Sequence, residues 1–168
     1  MSETIYLAGG CFWGVQRYFD QFDGILKTTV GYANGNTENP EYKEVKSGKT
    51  GHAETIKIEY DPSIISLKEI LDKYFEVIDP VSVNKQGEDE GISYRTGIFY
   101  VNDDDLKVIA EKIKEVQKEY DEPLAVIVEK ERNFYDAEEY HQKYLEKNPG
   151  AYCHISEEHF KWFMKIFS

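Results

Sequence analysis

Apolar and polar residues follow two different periods along this chain, and the changes between them predict its secondary structure. Residues 3–8 form a short strand-like run that ends at two glycines. From Phe12 to Phe22 apolar side chains recur every three or four residues, which predicts a helix. The same reasoning predicts further strands over 25–32, 53–60, 97–101 and 125–129, and further helices over 41–47, 66–78, 103–120, 137–147 and 156–167.

The predicted strands and helices alternate irregularly, and several connections between them are long. Residues 79–93 contain a proline, two glycines and many polar groups, which predicts a loop. A regular doubly wound parallel sheet requires steady alternation of strands and helices, so the pattern favours the α+β class, with helices packed on a sheet. A chain of 168 residues with no internal repeat or linker is expected to form one domain, residues 1–168.

Composition and charge exclude several functions. The chain has 20 Lys and Arg against 32 Asp and Glu, a net charge of −12, which repels phosphate backbones, so we expect no nucleic-acid partner. No apolar run approaches the roughly 20 residues that span a membrane, and the first residues lack the features of a secretory signal. We therefore expect a cytoplasmic protein with no membrane partner. Its two cysteines cannot form a disulfide framework, and in a reducing compartment they are candidates for chemistry.

Cys11 lies between a predicted strand, two glycines and a predicted helix. Unpaired amides and the positive dipole end of a helix stabilise a thiolate, and the glycines leave the sulfur open to a substrate. The alternative is that Cys11 only packs under the sheet, since cysteine is often buried. Cys11 and Arg17 also fit the C-x5-R spacing of a thiol phosphatase. The bulky Phe12 and Trp13 and the acidic chain argue against a phosphate cradle.

Three other positions carry polar groups with open roles. Glu54 lies in a half-apolar strand, where it is either an exposed edge residue or a partly desolvated carboxyl whose raised pKa lets it donate a proton. His52 is a candidate base or a turn residue. Cys153 is either an unrelated cysteine or a second reactive thiol. A zinc site of Cys153, His154 and His159 fits in ligand type, but its spacing matches no familiar pattern.

Longer motifs give the chain a close resemblance to the A-type peptide methionine sulfoxide reductases. GCFWG together with GHAE and a late YHQ-x-Y is very specific to that family. The resemblance covers nearly the whole chain and implies a two-layer α+β sandwich with a mixed sheet and a ferredoxin-like plait core. The shared motifs, in the family's order, are GCFWG (10–14), GYANG (31–35), NPEYKEVKSGKTGHAE (39–54), NKQGEDEGISYR (84–95) and FYDAEEYHQKYLEKNPGAYC (134–153).

The resemblance implies a role for each isolated polar or aromatic group. It makes Cys11 the nucleophile and Glu54 the proton donor, and it makes Tyr32 and Tyr94 hydrogen-bond donors to the sulfoxide oxygen. The implied role of Cys153 is to resolve the oxidised nucleophile. The implied substrate-binding residues are Phe12 and Trp13, which line the pocket for the methyl group, and Asp89, which binds the backbone side of the substrate.

The residues around Asp89 depart from the family's pattern. The family has Asn before this Asp, where the chain has Glu88, and Arg is common where it has Lys85. Thr-Gln is common in the family where this chain has Ile92-Ser93. The alignment that assigns substrate binding to Asp89 is therefore less direct than the alignments at Cys11 and Glu54.

The implied reaction reduces the S epimer of methionine sulfoxide, protein-bound or free, to methionine. Thiolate attack on sulfur, with protonation of the oxygen, leaves a sulfenic acid on Cys11. Cys153 then condenses with it to form a disulfide, which an external dithiol, expected to be thioredoxin, reduces. The resemblance implies no metal, flavin or nucleotide cofactor, and we expect a monomer that repairs oxidised proteins.

Overall fold

The computed structural model describes residues 2–148 of the chain. Its strands are, in chain order, β1 Glu3–Ala8, β2 Ile25–Ala33, β3 Ala53–Tyr60, β4 Lys85–Gln86, β5 Asp89–Glu90, β6 Gly97–Tyr100, β7 Ile127–Lys130 and β8 Phe134–Asp136. The helices are α1 Phe12–Phe19, α2 Tyr42–Lys46, α3 Leu67–Glu76, α4 Asp105–Gln117 and α5 Tyr144–Lys147. Among these described helices, none has the length and apolar character that crossing a membrane requires.

Six of the strands form one sheet in the order β7-β6-β1-β3-β2-β8, and β4 pairs with β5 as a separate hairpin. In the large sheet, β6 and β7 are parallel and every other neighbouring pair is antiparallel. The central strand β1 pairs with β3 in a register that places Leu7 opposite Ile56. A mostly antiparallel sheet with helices packed on it confirms the predicted α+β class.

The main hydrophobic core lies between the sheet and the helices α1, α3 and α4. Ile5 and Leu7 of β1 and Ile56 and Ile58 of β3 are fully buried in it. Side chains at the intervening strand positions point to the opposite face of the sheet, where Tyr6 belongs to a smaller apolar cluster. The helix-facing side of the sheet therefore has the larger core, and polar groups on that side are shielded from water.

Several local predictions are confirmed, and others are refined. Helix α3 begins with the capping box that the sequence predicts: the Ser66 hydroxyl accepts from the Glu69 amide at 3.1 Å, and the Glu69 carboxylate accepts from the Ser66 amide at 3.3 Å. Helix α1 ends at Phe19 rather than Phe22. The predicted loop over 79–93 contains the β4–β5 hairpin and a 3-10 turn at Ile92–Tyr94.

The predicted helix over 137–147 is wrong. The chain there forms a 3-10 turn at Glu139–His141, and only Tyr144–Lys147 is α-helical. Lys143 has a φ of 58°, which interrupts a helix. The Gln142 side chain accepts from the Val30 amide at 3.1 Å and donates to the Val30 carbonyl at 2.9 Å, so this segment is bound to the edge of β2. The predicted helix over 156–167 lies outside the described residues.

Candidate active site

Cys11 is the N-cap residue of helix α1. Strand β1 ends at Ala8, and Gly10 turns the chain with a φ of 79°, a conformation that favours glycine. The Gly10 amide donates to the carbonyl of Tyr94 at 3.3 Å, which joins this turn to the Ile92–Tyr94 segment. Cys11 is 6% exposed. The predicted strand–glycine–cysteine–helix arrangement is thus present, and it places the thiol at a helix N-terminus.

Glu54 lies beside Cys11 on the helix-facing side of the sheet. It shares the strand phase of Ile56 and Ile58, so its carboxyl points into the protein and is 1% exposed. Its Oε1 accepts a hydrogen bond from the Phe12 amide at 3.3 Å, and its Oε2 has no hydrogen-bond partner among the described residues. The alternative of an exposed edge residue is therefore wrong.

Burial raises the pKa of Glu54 to about 8. The negative charge of Asp89 adds to this increase, whereas the Phe12 amide and the positive charge of Lys46 oppose it. Because an uncompensated carboxylate is unfavourable away from water, the neutral acid is the favoured form at neutral pH. At neutral pH a protonated Glu54 carboxyl therefore lies beside the thiol, and its Oε1 accepts from the amide of the residue that follows Cys11.

Tyr32 lies directly opposite Glu54 in the β2–β3 pair and is fully buried. Its hydroxyl donates to Oε1 of Glu138 at 2.8 Å. The other carboxylate oxygen of Glu138 accepts from the Tyr42 amide at 3.3 Å and from the Tyr140 hydroxyl at 3.2 Å. Burial, followed by the hydrogen bond and charge of Glu138, raises the pKa of Tyr32, so the hydroxyl keeps its proton.

Tyr94 and Asp89 reach the site from the segment between α3 and β6. Burial, together with the charge of Glu54 and the neighbouring Tyr42 hydroxyl, raises the pKa of Tyr94. Asp89 is partly buried, and its charge acts on Glu54, Tyr42 and Tyr94. Burial raises the pKa of Asp89, while the nearby Lys46 opposes the change. Its Oδ2 has no hydrogen-bond partner in the part of the chain that the structure describes.

Phe12 and Trp13 begin an aromatic wall next to Cys11. Phe12 is buried, and its ring centroid lies 5.7 Å from that of Tyr32. Trp13 is only partly buried and stacks on Tyr144 with the ring centroids 3.8 Å apart. Its indole nitrogen donates to Nδ1 of His141 at 3.0 Å. The wall combines apolar surface with a small number of fixed polar contacts, which is typical of a small-molecule site.

This arrangement suits attack by a thiol on an uncharged polar group that carries an apolar substituent. It does not suit phosphate, because the Phe12 amide at the start of α1 is bonded to a carboxyl and Asp89 adds a second acidic group. Arg17 lies partly buried on α1. Within residues 2–148, no group of three or more His, Cys, Asp and Glu side chains is arranged to hold a metal ion.

Comparison with known proteins identifies the family. The model of the peptide methionine sulfoxide reductase family matches residues 3–166. The chain belongs to this family. It is 57% identical over 157 residues to the peptide methionine sulfoxide reductase MsrA of Lachnoclostridium phytofermentans, covering 94% of this chain and 95% of that protein.

Two solved structures have a similar fold. The crystal structure of Mxr1 from Saccharomyces cerevisiae in reduced form gives a TM-score of 0.86 at 42% identity and covers 90% of this chain and 88% of that chain. A second structure, of Mxr1 in complex with Trx2, gives a TM-score of 0.57 at 30% identity and covers 85% of this chain and 84% of that chain.

Most of the predicted site residues of this family member converge in space. The centre of the site is the first turn of α1, where Cys11 and Phe12 meet Glu54 and Tyr32. Around this centre lie Trp13, Tyr94 and Asp89. Cys153 lies outside the described residues, as do His154 and His159 of the alternative zinc site.

His52 is not part of this group. Its Nδ1 accepts from the Gly35 amide at 3.1 Å, so its Nε2 carries the proton and donates to the Thr37 carbonyl at 2.8 Å. Burial lowers the pKa of His52, which keeps the ring neutral. A Cβ on Gly35 would lie 2.3 Å from the imidazole, so the glycine is required by close packing. His52 is therefore the turn residue that the sequence left as one alternative.

Four residues that touch the predicted site were assigned no role from the sequence. Tyr42 is a neighbour of Tyr94, Glu138 bonds to Tyr32 and His141 bonds to Trp13, while Tyr144 stacks on Trp13. All four lie within the family's motifs. Their functions depend on contacts between distant parts of the chain, so no local spacing pattern reports them.

Proposed function

We propose that the protein is a thiol-dependent reductase of methionine sulfoxide, in proteins or free, that acts on the S epimer at sulfur. The observation that carries this proposal is the pairing of Cys11 with a buried Glu54 through the Phe12 amide, at 3.3 Å. Burial raises the pKa of Glu54 to about 8, so a nucleophile and a protonated acid serve one site at neutral pH. A sulfoxide requires both, because its sulfur accepts the thiolate and its oxygen accepts the proton. Membership of the peptide methionine sulfoxide reductase family supports the same activity.

The chemical step transfers one oxygen atom from the substrate sulfur to Cys11. The Cys11 thiolate attacks the sulfoxide sulfur while Glu54 donates its proton to the oxygen, which makes that oxygen a better leaving group. The attack forms a bond between the Cys11 sulfur and the substrate sulfur, which then carries a hydroxyl group. This sulfur–sulfur bond and the sulfur–oxygen bond of the substrate break as the hydroxyl moves to the Cys11 sulfur. Methionine leaves as the thioether, reduced by two electrons, and Cys11 is oxidised to a sulfenic acid.

Tyr32 and Tyr94 stabilise the charge that develops on the sulfoxide oxygen by donating hydrogen bonds. The neighbour of the Tyr94 hydroxyl is the neutral hydroxyl of Tyr42 rather than a carboxylate, so Tyr94 donates to the substrate at little cost. Tyr32 must instead leave the carboxylate of Glu138, a charge-assisted bond of 2.8 Å. Tyr94 is therefore the stronger donor to the substrate in this proposal, and Tyr32 contributes less.

The aromatic wall and Asp89 bind the two ends of the substrate side chain. Phe12 and Trp13 accept the methyl group, since both rings lie next to Cys11 and expose no charge to it. Asp89 binds the backbone side of the substrate through its partly buried carboxyl. The Oδ2 atom of that carboxyl has no hydrogen-bond partner among the described residues and is available for this contact. With the methyl group and the oxygen bound on fixed sides, only one configuration at sulfur aligns with the thiol.

A second thiol and an external dithiol complete the cycle. Cys153 condenses with the sulfenic acid of Cys11, releases water and forms a disulfide, which thioredoxin reduces by exchange. The role of Cys153 is based on the NPGAYC segment (148–153) of the family motif. The crystal structure of yeast Mxr1 in complex with Trx2 supports thioredoxin as the reductant.

Several broader statements belong to the same proposal. The sheet core is a ferredoxin-like plait, supported by the antiparallel order β6-β1-β3-β2 and by the units β1-α1-β2 and β3-α3-β6. The chain, residues 1–168, is one domain of a two-layer sandwich and acts as a monomer. It works in the cytoplasm, with neither nucleic acid nor membrane as a partner. The reaction uses cysteine chemistry alone, without a metal or an organic cofactor.

Single-turnover reduction of separated methionine sulfoxide epimers tests the proposal. The wild-type enzyme should produce methionine from the S epimer, and Cys11→Ser should produce none. Cys153→Ser should keep the first turnover but lose thioredoxin-driven recycling. Methionine formation by Cys11→Ser, or sustained thioredoxin-coupled turnover by Cys153→Ser, would contradict the assigned roles. Hydrolysis of p-nitrophenyl phosphate would favour the phosphatase alternative.

A further inference from the structure

Lys46 lies at the mouth of the site but takes no part in the reaction steps of the proposed function. It belongs to the last turn of helix α2, and its ammonium group lies 6.0 Å from the ring centroid of Tyr42. The Tyr42 ring extends the aromatic wall, with its centroid 6.4 Å from that of Phe12 and 6.4 Å from that of Trp13. The charge of Lys46 is therefore one ring away from the pocket next to Cys11.

The end of α2 also lies against the segment that carries Asp89. A Cβ on Gly48, in the turn that follows α2, would lie 3.3 Å from the side chain of Ile92. Ile92 begins the 3-10 turn that follows β5, and Asp89 is the first residue of β5. Lys46 and Asp89 thus belong to two segments that meet at the edge of the site.

The opposite charges of Lys46 and Asp89 act on the same site but are not paired with each other. None of the ion pairs among residues 2–148 includes either side chain. Oδ2 of Asp89 has no hydrogen-bond partner in the same part of the chain, and Lys46 is exposed. The positive charge of Lys46 nevertheless opposes the rise in the pKa of both Asp89 and Glu54, so it lies within electrostatic reach of both carboxyls. Each charge is available to a ligand that enters between the two segments.

Methionine sulfoxide presents different groups at its Cα atom in different substrates. As the free amino acid it carries an ammonium group and a carboxylate there, and at the C-terminus of a peptide it carries the carboxylate alone. Within a chain both groups are neutral parts of amide bonds. The protein has a net charge of −12, which repels a carboxylate, so a site that accepts one requires a cation close by.

We propose that Lys46 is a specificity-determining residue that binds the α-carboxylate of free or C-terminal methionine sulfoxide, while Asp89 binds the ammonium group of the free amino acid. This inference rests on the proposed function and names a substrate class for it. The sulfoxide reaches Cys11 between the aromatic rings, and Cα lies at the mouth between the two opposite charges. The ammonium group of Lys46 then donates a charge-assisted hydrogen bond to the carboxylate.

Four forms of the S epimer separate the two charges of the substrate. They are methionine sulfoxide, its N-acetyl derivative, its amide and its N-acetyl amide. The N-acetyl derivative and the N-acetyl amide differ only in the carboxylate, so the ratio of their kcat/KM values measures the preference for a carboxylate. An effect of a substitution on the pKa of Glu54 acts on both substrates and cancels in this ratio.

We expect Lys46→Met, which removes the charge from an exposed position, to lower the carboxylate preference at least about 5-fold. The change should be mostly in KM, because the bond to the carboxylate is the same in the ground state and the transition state. Lys46→Arg should keep most of the preference, and Lys46→Glu should lower it further, since two carboxylates repel each other.

Lys27→Met is the matched control. Lys27 is an exposed lysine of β2 that lies opposite Glu59, towards the end of the strand pair away from Glu54. Its removal changes the net charge equally and should leave the carboxylate preference within about 2-fold of the wild-type value, because distant surface charges are screened. An unchanged preference in Lys46→Met, or an equal loss in Lys27→Met, would overturn the proposal.

The amide and the N-acetyl amide test Asp89 in the same way, since they differ in the ammonium group. Asp89→Asn should lower the preference for the ammonium group at least about 3-fold, whereas Lys46→Met should not lower it. An unchanged ammonium preference in Asp89→Asn would overturn the assignment of that group to Asp89.

A binding measurement separates this inference from the proposed function. Calorimetric titration of Cys11→Ser with the N-acetyl derivative and with the N-acetyl amide gives the carboxylate preference without turnover, and adding Lys46→Met should remove that preference. If the wild type reduces no methionine sulfoxide but this result is obtained, the proposed function is wrong and the carboxylate site stands. If reduction is normal and Cys11→Ser binds both ligands equally, the carboxylate site is wrong and the proposed function stands.

Discussion

Replacing Glu54 with glutamine should abolish most activity and, unusually, stabilise the protein as the pH rises. Glu54 is 1% exposed, and burial raises the pKa of Glu54 from 4.5 to about 8. In the unfolded chain the carboxyl ionises near its ordinary pKa, but in the folded protein it is forced to stay protonated. Compared with the Glu54→Gln variant, the wild type therefore keeps its full stability below about pH 4.5. It loses stability as the pH rises from there towards about 8.

The size of the effect follows from the difference between the two pKa values. One pKa unit corresponds to about 1.4 kcal/mol, so the shift opposes folding of the wild type by about 1.4 kcal/mol at pH 5.5 and about 5 kcal/mol at pH 9. The glutamine side chain of the variant cannot ionise, and its free energy of unfolding has no such contribution. The gap between the variant and the wild type should therefore widen by about 3 kcal/mol between these two pH values.

Urea unfolding in reducing buffer at a series of pH values measures this gap directly. Glu59→Gln, which removes one negative charge from the same strand outside the site, is the matched control. Single-turnover reduction at the same pH values gives the catalytic counterpart, and the wild-type rate should fall as the pH rises through about 8. Parallel stability curves for wild type and Glu54→Gln would refute the reasoning, because they would mean that the folded protein does not hold this carboxyl as the neutral acid.

Three further substitutions test the groups around Glu54. We expect Tyr94→Phe to slow single turnover about 100-fold. Tyr32→Phe should slow it about 10-fold or less, because Tyr32 is already bonded to Glu138. A larger effect of Tyr32→Phe than of Tyr94→Phe in quenched-flow measurements would contradict the assigned donor roles. We expect Asp89→Asn to lower the pKa of Glu54, since the negative charge of Asp89 helps to raise it. At saturating substrate, the single-turnover rate of Asp89→Asn should therefore begin to fall at a lower pH than that of the wild type. If the rate falls at the same pH, the charge of Asp89 does not raise the pKa of Glu54.

Local patterns in the sequence predicted much of the fold correctly. Alternation over 53–60 predicts strand β3, and the capping box of Ser66 and Glu69 predicts the start of helix α3. Both patterns depend only on residues that are close together in the sequence. The segment after Asp136 could not be predicted in this way. Its residues favour a helix locally, but Gln142 and the neighbouring backbone bind the edge of β2, and that tertiary pairing determines the conformation.

The same distinction applies to the site. The thiol at the start of α1 follows from a strand, glycines and a helix that are adjacent in sequence. Alternation places Glu54 in the same strand phase as Ile56 and Ile58, but it left the exposure of Glu54 open, and the structure shows that the residue is buried. The partners of Tyr32 and Trp13 could not be derived, because the bonds to Glu138 and His141 span 106 and 128 positions. The family motifs contain all of these residues but do not state which of them touch.

These long spans have a consequence for how the enzyme is made. The chain is synthesised from its N-terminus, so Cys11 and Trp13 leave the ribosome early, while Glu138 and His141 follow only after most of the protein has been translated. Until then the first turn of α1 lacks the side chains that bond to Tyr32 and Trp13. A nascent chain thus contains Cys11 long before it contains the hydrogen-bond partners of Tyr32 and Trp13. A chain whose translation stops before residue 138 lacks both Glu138 and His141, so neither Tyr32 nor Trp13 has the partner that it bonds in the full-length fold.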